Sequence, residues 1–166
     1  RHLSDPVIHR RRVLFVKPRF WLVVDDLDGT AEHRIDLRFQ FAPMEMTLEA
    51  GLWARARGPR GHGLLVRPFA TVPVKGEILQ GCLDPPRGWI SPHYGQRHPA
   101  PLLAYSAVAR LPFRIVTLLW PISGSDDSIP TVAMSDSADG VLIHVTVGQD
   151  RQSVALTANG PVVRRG

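Results

Sequence analysis

Between Glu32 and Ala42 the chain alternates without a break: Ile35, Leu37, Phe39 and Phe41 take every second place, and Arg34, Asp36, Arg38 and Gln40 fill the places between. A period of two sends the apolar set to one face of an extended backbone and the polar set to the other. Such a segment is a strand of an antiparallel sheet with one wet face. The stretch 20–26, Phe-Trp-Leu-Val-Val-Asp-Asp, is apolar almost throughout and predicts a more completely buried strand. Asp28-Gly29 supplies residues that tolerate a tight connection, so the two strands are expected to pair as a hairpin.

The same grammar recurs at 7–17, 44–49, 51–57, 64–69, 72–79, 101–111, 113–120, 131–134, 141–147 and 153–157, punctuated by turn residues such as Gly58-Pro59-Arg60-Gly61-His62-Gly63. Pro112 separates two of these strands, and its missing N–H interrupts a ladder. A Ser/Asp-rich loop occupies 123–128. No stretch of a dozen residues keeps a 3.6-residue period, and no repeat of fixed length is visible. With 15 Pro and 14 Gly, and few of the Lys and Glu that favour helix surfaces, the chain is not all-helical. About a dozen short strands predict an all-β fold, a two-sheet antiparallel sandwich with a barrel as the lesser alternative.

At 166 residues the chain is long enough for one domain, 1–166, which buries roughly 70% of its unfolded surface without disulfide or metal. Cys82 is the single cysteine and has no internal partner. No apolar run approaches the roughly 20 residues of a membrane span, and the N-terminal residues carry no signal-peptide core. The chain starts at Arg1, with strand pattern close behind, which suggests a piece of something longer. The net charge of +5 comes from 18 Arg and 2 Lys against 11 Asp and 4 Glu. An Arg excess of this kind follows gene composition as readily as a bound polyanion, so charge alone decides little.

The segment 80–100 breaks the rhythm: about twenty residues without strand pattern, a length usually tied to function or to contact with something else. Within it, Gly88-Trp89-Ile90-Ser91-Pro92-His93-Tyr94-Gly95 sets two aromatic rings five residues apart with His93 between them and Arg97 beyond. Aromatic faces stack on sugars, and Arg or His pairs with uronate or sulfate oxygens, so Trp89, His93, Tyr94 and Arg97 are candidates for substrate binding or a domain interface. The plainer alternative makes Trp89 and Tyr94 anchors that tuck a proline-stiffened loop onto the sheet.

Other clusters carry less. The seven histidines lack metal-ligand spacing and have no cysteine set beside them, and no metal site is expected in this segment. Alternation sends Arg10 and Arg12 to one side and Arg11 to the other, so the run is not one triple-charged patch. No nucleic-acid-binding pattern accompanies the basic residues. Asp25, Asp26 and Asp28 lack the distal Glu of a calcium loop and are taken as the end of the hairpin. Without a nucleophile elbow, phosphate loop or dinucleotide fingerprint, no catalytic residue is nominated.

Three segments in order, Asp5-Pro6-Val7-Ile8-His9-Arg10-Arg11, then Phe20-Trp21-Leu22-Val23-Val24-Asp25-Asp26-Leu27 with Gly29 and His33, then Gly88 to Gly95 with Pro99-Ala100-Pro101, resemble the C-terminal region of heparinase II/III-like polysaccharide lyases. The resemblance spans about 5–121. It implies a β-sandwich packed on a missing N-terminal (α/α) toroid, an acidic polysaccharide as substrate of the intact protein, zinc in some intact members but no cofactor in this segment, and a bacterial periplasmic or cell-envelope location. It also implies β-elimination, in which a Tyr or His removes the C5 proton of a uronic acid while neighbours neutralise the carboxylate. The family's catalytic residues lie mostly upstream of the matched region, and none is carried onto these positions. Two rivals are a non-catalytic carbohydrate-binding or interaction module using the Trp89/Tyr94 loop, and a pseudo-enzyme of polysaccharide export.

Overall fold

The structure, a computed structural model, describes residues 5–124, 128–137, 140–157 and 160–165. Residues 125–127 of the Ser/Asp-rich loop lie outside the described residues. The strands are, in chain order, β1 (Ile8–Val16), β2 (Phe20–Asp28), β3 (Glu32–Gln40), β4 (Glu45–Leu48), β5 (Ala54–Arg57), β6 (Gly63–Phe69) and β7 (Lys75–Leu79). Four two-residue strands follow: β8 (Cys82–Leu83), β9 (Pro86–Arg87), β10 (Trp89–Ile90) and β11 (His98–Pro99). The chain ends with β12 (Leu102–Arg110), β13 (Phe113–Ile122), β14 (Thr131–Ser137), β15 (Gly140–Val147), β16 (Asp150–Thr157) and β17 (Gly160–Arg165). One short 3-10 turn, Ala50–Leu52, joins β4 to β5. Among the described residues no helix is long and apolar enough to cross a membrane.

The expected antiparallel sandwich is present. A six-stranded sheet in the order β1-β2-β13-β6-β5-β4 has the three-stranded sheet β3-β12-β7 on one face and the meander β14-β15-β16-β17 on the other. The inner strands of the central sheet therefore hide both faces, which is why Phe20–Val24 reads as a continuous apolar run rather than an alternating one, and why Ile115–Leu118 is buried throughout, Thr117 included. Phe20, Leu22, Val24, Leu65, Val116 and Leu118 pack against Ile143, Val145, Val154 and Leu156 of the meander. On the opposite face Ala54, Val66, Phe113 and Ile115 meet Leu37, Leu103, Tyr105 and Ala109. Each fully buried Leu, Val or Phe side chain contributes about 1.5–3 kcal/mol.

The expected hairpin between the second and third strands does not form. β2 pairs with β1 and β13 in the central sheet, and β3 pairs with β12 in the three-stranded one. The intervening turn passes from one layer to the other: the Leu111 amide donates to the Ala31 carbonyl at 3.0 Å, and a Cβ on Gly29 would lie 2.8 Å from Leu111 Cδ1. Pro112 sits at the matching crossover, because β12 and β13 also belong to different sheets. The strand expected over 72–79 is confined to Lys75–Leu79, and β17 extends the pattern beyond the last strand expected.

Tyr105 is the pin between layers. Its side chain is fully buried on β12, and its hydroxyl donates within reach of the Leu52 carbonyl at 2.9 Å and the Val66 carbonyl at 3.1 Å. Burial drives its pKa far above the ordinary phenol value, so it stays a donor at every physiological pH.

Candidate functional site

The segment 80–100 is a folded clasp rather than an open loop. It begins at the end of β7, closes two small ladders, β8 with β9 and β10 with β11, and returns to β12. Gly88 holds it: the Gly88 carbonyl accepts from the Gly81 and Ala100 amides, both at 2.9 Å. Its φ of +69° suits glycine, and a Cβ there would sit 2.4 Å from the Leu79 carbonyl oxygen.

Trp89 is half-buried. Its indole Nε1–H donates to the Cys82 carbonyl at 2.7 Å, which ties β10 to β8 across the clasp. The Arg97 guanidinium lies over the Trp89 ring, 4.0 Å from its centroid, the geometry in which a ring quadrupole attracts a cation. One aromatic face is thus occupied by a cation, and the indole edge by a hydrogen bond. Trp89 is the anchor of the plainer alternative, and its anchoring positions Arg97.

His93 and Tyr94 stand apart from that pair. They form the tip of a turn in which the Gln96 amide and the Ser91 hydroxyl both donate to the His93 carbonyl, at 3.1 and 3.0 Å. Both side chains are exposed, Tyr94 completely, at 105%. Of the four sequence candidates the structure therefore joins Trp89 to Arg97 and leaves His93 and Tyr94 in solvent. Tyr94 is not an anchor.

Trp89 and Arg97 line a shallow groove of about 270 Å³ together with Arg38 and Gln40 of β3, Arg87 of β9 and Leu102 of β12. Arg38 and Gln40 come from the wet face of the alternating strand, so the register that buries Leu37 and Phe39 also presents these groups to the clasp. Arg38 shares Asp36 with Arg34, each at 3.1 Å. Arg87 and Arg97 make no ion pair among the described residues. No acidic side chain lines the groove, which suits an anionic group.

A second cluster was not anticipated. Asp25 and Asp26 lie within β2 rather than at a hairpin end, and β1 sets its basic run directly against them in the register Arg10↔Asp26 and Arg11↔Asp25. The opposite sides expected for neighbouring arginines follow. Arg11 donates to both oxygens of buried Asp25, at 2.6 and 3.1 Å, and His9 Nε2 lies 2.6 Å from Asp25 Oδ1. On the other face Asp26 receives Arg12 at 2.7 Å and Arg114. Burial works to raise the Asp26 pKa, but the hydrogen bonds and charges of Arg114 and Arg12 outweigh it and hold the carboxyl below its ordinary value. The hydrogen bond to Asp25 likewise pushes the Arg11 guanidinium upward against the effect of burial.

A cavity of about 250 Å³ opens beside this cluster between β1, β2 and β3, with Leu27, Ile35, Leu111 and Ile115 as apolar wall. Within its lining Asp25 takes His9 and Arg11, and Asp36 takes Arg34, while His33 meets Asp5 outside it. This is an ion cluster that ties β1 to β2 and β3 to itself. His33 Nε2 lies 2.6 Å from Asp5 Oδ2, yet among the described residues no group of three or more His, Cys, Asp or Glu side chains converges.

Comparison with known proteins places this geometry. A family model described as heparinase II/III-like, C-terminal, matches residues 2–129. Among solved structures the chain is similar to heparinase III, with TM-score 0.72 and 22% identity over 89% of this chain and 23% of that one. A heparan sulfate lyase from Pedobacter heparinus matches with TM-score 0.70 and 12% identity over 96% of this chain and 24% of that one. A second heparinase III gene product matches with TM-score 0.70 and 19% identity, again over 96% and 24%. The chain thus spans about a quarter of the length of these structures. No curated protein matches.

Proposed function

The chain belongs to the heparinase II/III-like C-terminal family, and from that membership we propose that it is the accessory β-domain of a polysaccharide lyase whose reactive groups lie in a separate (α/α) toroid. The observation that carries the proposal is the asymmetry of coverage: the fold accounts for 89% of this chain but 23% of heparinase III. In the intact protein, β-elimination on a uronic-acid polymer needs a base at C5 and a cation or hydrogen-bond donor at the carboxylate. Among the described residues buried Asp25 is held by Arg11 through both oxygens and by His9, which supports placing the chemistry elsewhere.

The clasp then has two uses. Its fully exposed Tyr94, with His93 beside it, is the contact for the neighbouring toroid, and the Arg38–Arg87–Arg97 groove is the surface that meets acidic saccharide. The groove also favours the second reading, a carbohydrate-binding module, because Trp89 and Arg97 are pre-assembled without a partner domain. Assaying the intact parent on alginate and heparinoids, by absorbance of the unsaturated product, tests the first reading. Product from at least one uronate polymer is expected; a parent inactive on all of them refutes it.

A further inference from the structure

The groove under the clasp is one end of a longer surface. Residues directly opposite in an antiparallel ladder share a face, so the outer face of β3-β12-β7 is set by its register: Arg34 stands beside Val108, Asp36 beside Ser106 and Lys75, Arg38 beside Ala104 and Glu77, Gln40 beside Leu102 and Leu79. The central strand presents Ala104 and Ser106, small side chains, while the flanking strands present long charged ones. The result is a trough with a low floor and charged walls, in which Arg34, Arg38 and Lys75 outnumber Asp36 and Glu77, and whose clasp end is basic.

Two depressions mark it. One, of about 480 Å³, is lined by Arg34, Lys75, Ser106 and Val108 with Pro73 and Ala107. The other is the clasp groove with Arg38, Arg87 and Arg97. Neither is lined by an acidic side chain. From Leu102 to Arg110 the floor strand extends roughly 26 Å at about 3.3 Å per residue, enough for several sugar units in line. Asp36, which pairs with both Arg34 and Arg38, and Glu77 stand on the same face, so the cations of this surface without an ion pair among the described residues are Lys75, Arg87 and Arg97.

We propose that this outer trough, ending at Arg87 and Arg97, is a binding track for an acidic polysaccharide chain, separate from the site of chemistry. A sheet floor that is shallow and open suits an extended polymer better than a compact ligand. Spaced cations suit its regularly spaced carboxylates or sulfates. The proposal rests on the accessory-domain reading only for expecting a polysaccharide.

Calorimetric titration of the 166-residue chain at low and physiological ionic strength tests it. The probes are a sulfated heparin-derived oligosaccharide, an unsulfated oligouronate of equal length, and polyglutamate of equal charge. Binding of either saccharide, weakened at least tenfold by Arg38→Ala with Arg97→Ala and by Arg87→Ala alone, and less than twofold by Arg60→Ala in the 58–63 turn, is the expected result. Comparison of the two saccharides identifies the anionic group recognised. Arg87 holds no ion pair among the described residues, so a thermal transition unchanged in Arg87→Ala separates lost contact from lost fold. No saccharide binding, equal weakening by Arg60→Ala, or equally tight polyglutamate overturns the proposal. Binding is read without turnover, so a parent that binds but never cleaves defeats the lyase reading and leaves the track standing.

Discussion

Arg97 rests over the face of Trp89, 4.0 Å from the ring centroid, while the indole of Trp89 is fixed at its other polar edge by the Cys82 carbonyl. A cation at the mouth of a groove is therefore held in place by a ring that the clasp itself immobilises. Replacing Trp89 by Phe removes the indole donor and leaves the half-buried Cys82 carbonyl unpaired, an expected loss of about 1–2 kcal/mol in thermal unfolding. Tyr94→Ala is expected to change stability by less than about 0.5 kcal/mol, because the side chain it removes touches solvent alone.

Gly88 and Gly95 offer a controlled pair. Both have positive φ, +69° and +73°. A Cβ at Gly88 would collide with the Leu79 carbonyl at 2.4 Å and with Gln80 backbone atoms, whereas one at Gly95 meets nothing within 4 Å. Gly95→Ala should cost about 1 kcal/mol, the backbone term alone. Gly88→Ala should cost clearly more, about 3 kcal/mol, as it adds displacement of the strand end. Denaturant midpoints with unchanged slope would check both; equal costs would show that the clasp yields freely.

The Asp25 cluster predicts an order of effects. Arg11→Met leaves a carboxylate that is only 3% exposed without its bidentate partner, and is expected to cost about 3 kcal/mol. Asp25→Asn leaves Arg11, 45% exposed, free to return to water, and is expected to cost less. Chemical denaturation of both variants checks the order.

Asp26 predicts a pH dependence. Its carboxyl is held below the ordinary value in the folded state, so its contribution is fully present above the unfolded carboxylate range near ~3.9. That contribution is lost as pH falls through the lower folded value. Arg114→Met should flatten the acid limb of a stability-against-pH curve while leaving the neutral region parallel to wild type. An unchanged acid limb would show that Arg114 does not hold the charge.

Strand content and faces were legible because alternation is local. Ile35, Leu37 and Phe39 turn inward as their spacing predicts, and buried β2 reads as the apolar run it is. Partners were not legible. A period of two fixes which side chains share a face but says nothing of which sheet the strand joins, so the spacing predicts a hairpin at Gly29 where the chain instead crosses between layers. The strands at 131–134, 141–147 and 153–157 are legible, but local spacing does not show that with β17, Gly-Pro-Val-Val-Arg-Arg, they close a third sheet of their own. One signal is nonetheless local: the basic run His9-Arg10-Arg11-Arg12 and the acidic run Asp25-Asp26-Leu27-Asp28 lie, to within one residue, at matching distances from the turn at Pro18, and a hairpin folded there sets Arg10 opposite Asp26 and Arg11 opposite Asp25. Within the clasp, sequence singled out Trp89 and Arg97 but not Arg38 or Arg87, which reach the groove through non-local pairing.

The most direct test of the account places the 166-residue chain and its intact parent side by side in one assay for unsaturated uronate product, with a cooperative thermal transition verifying that the shorter chain is folded. The parent is expected to generate product and the folded chain none. Product from the chain alone would contradict the account, since its own residues would then supply the base.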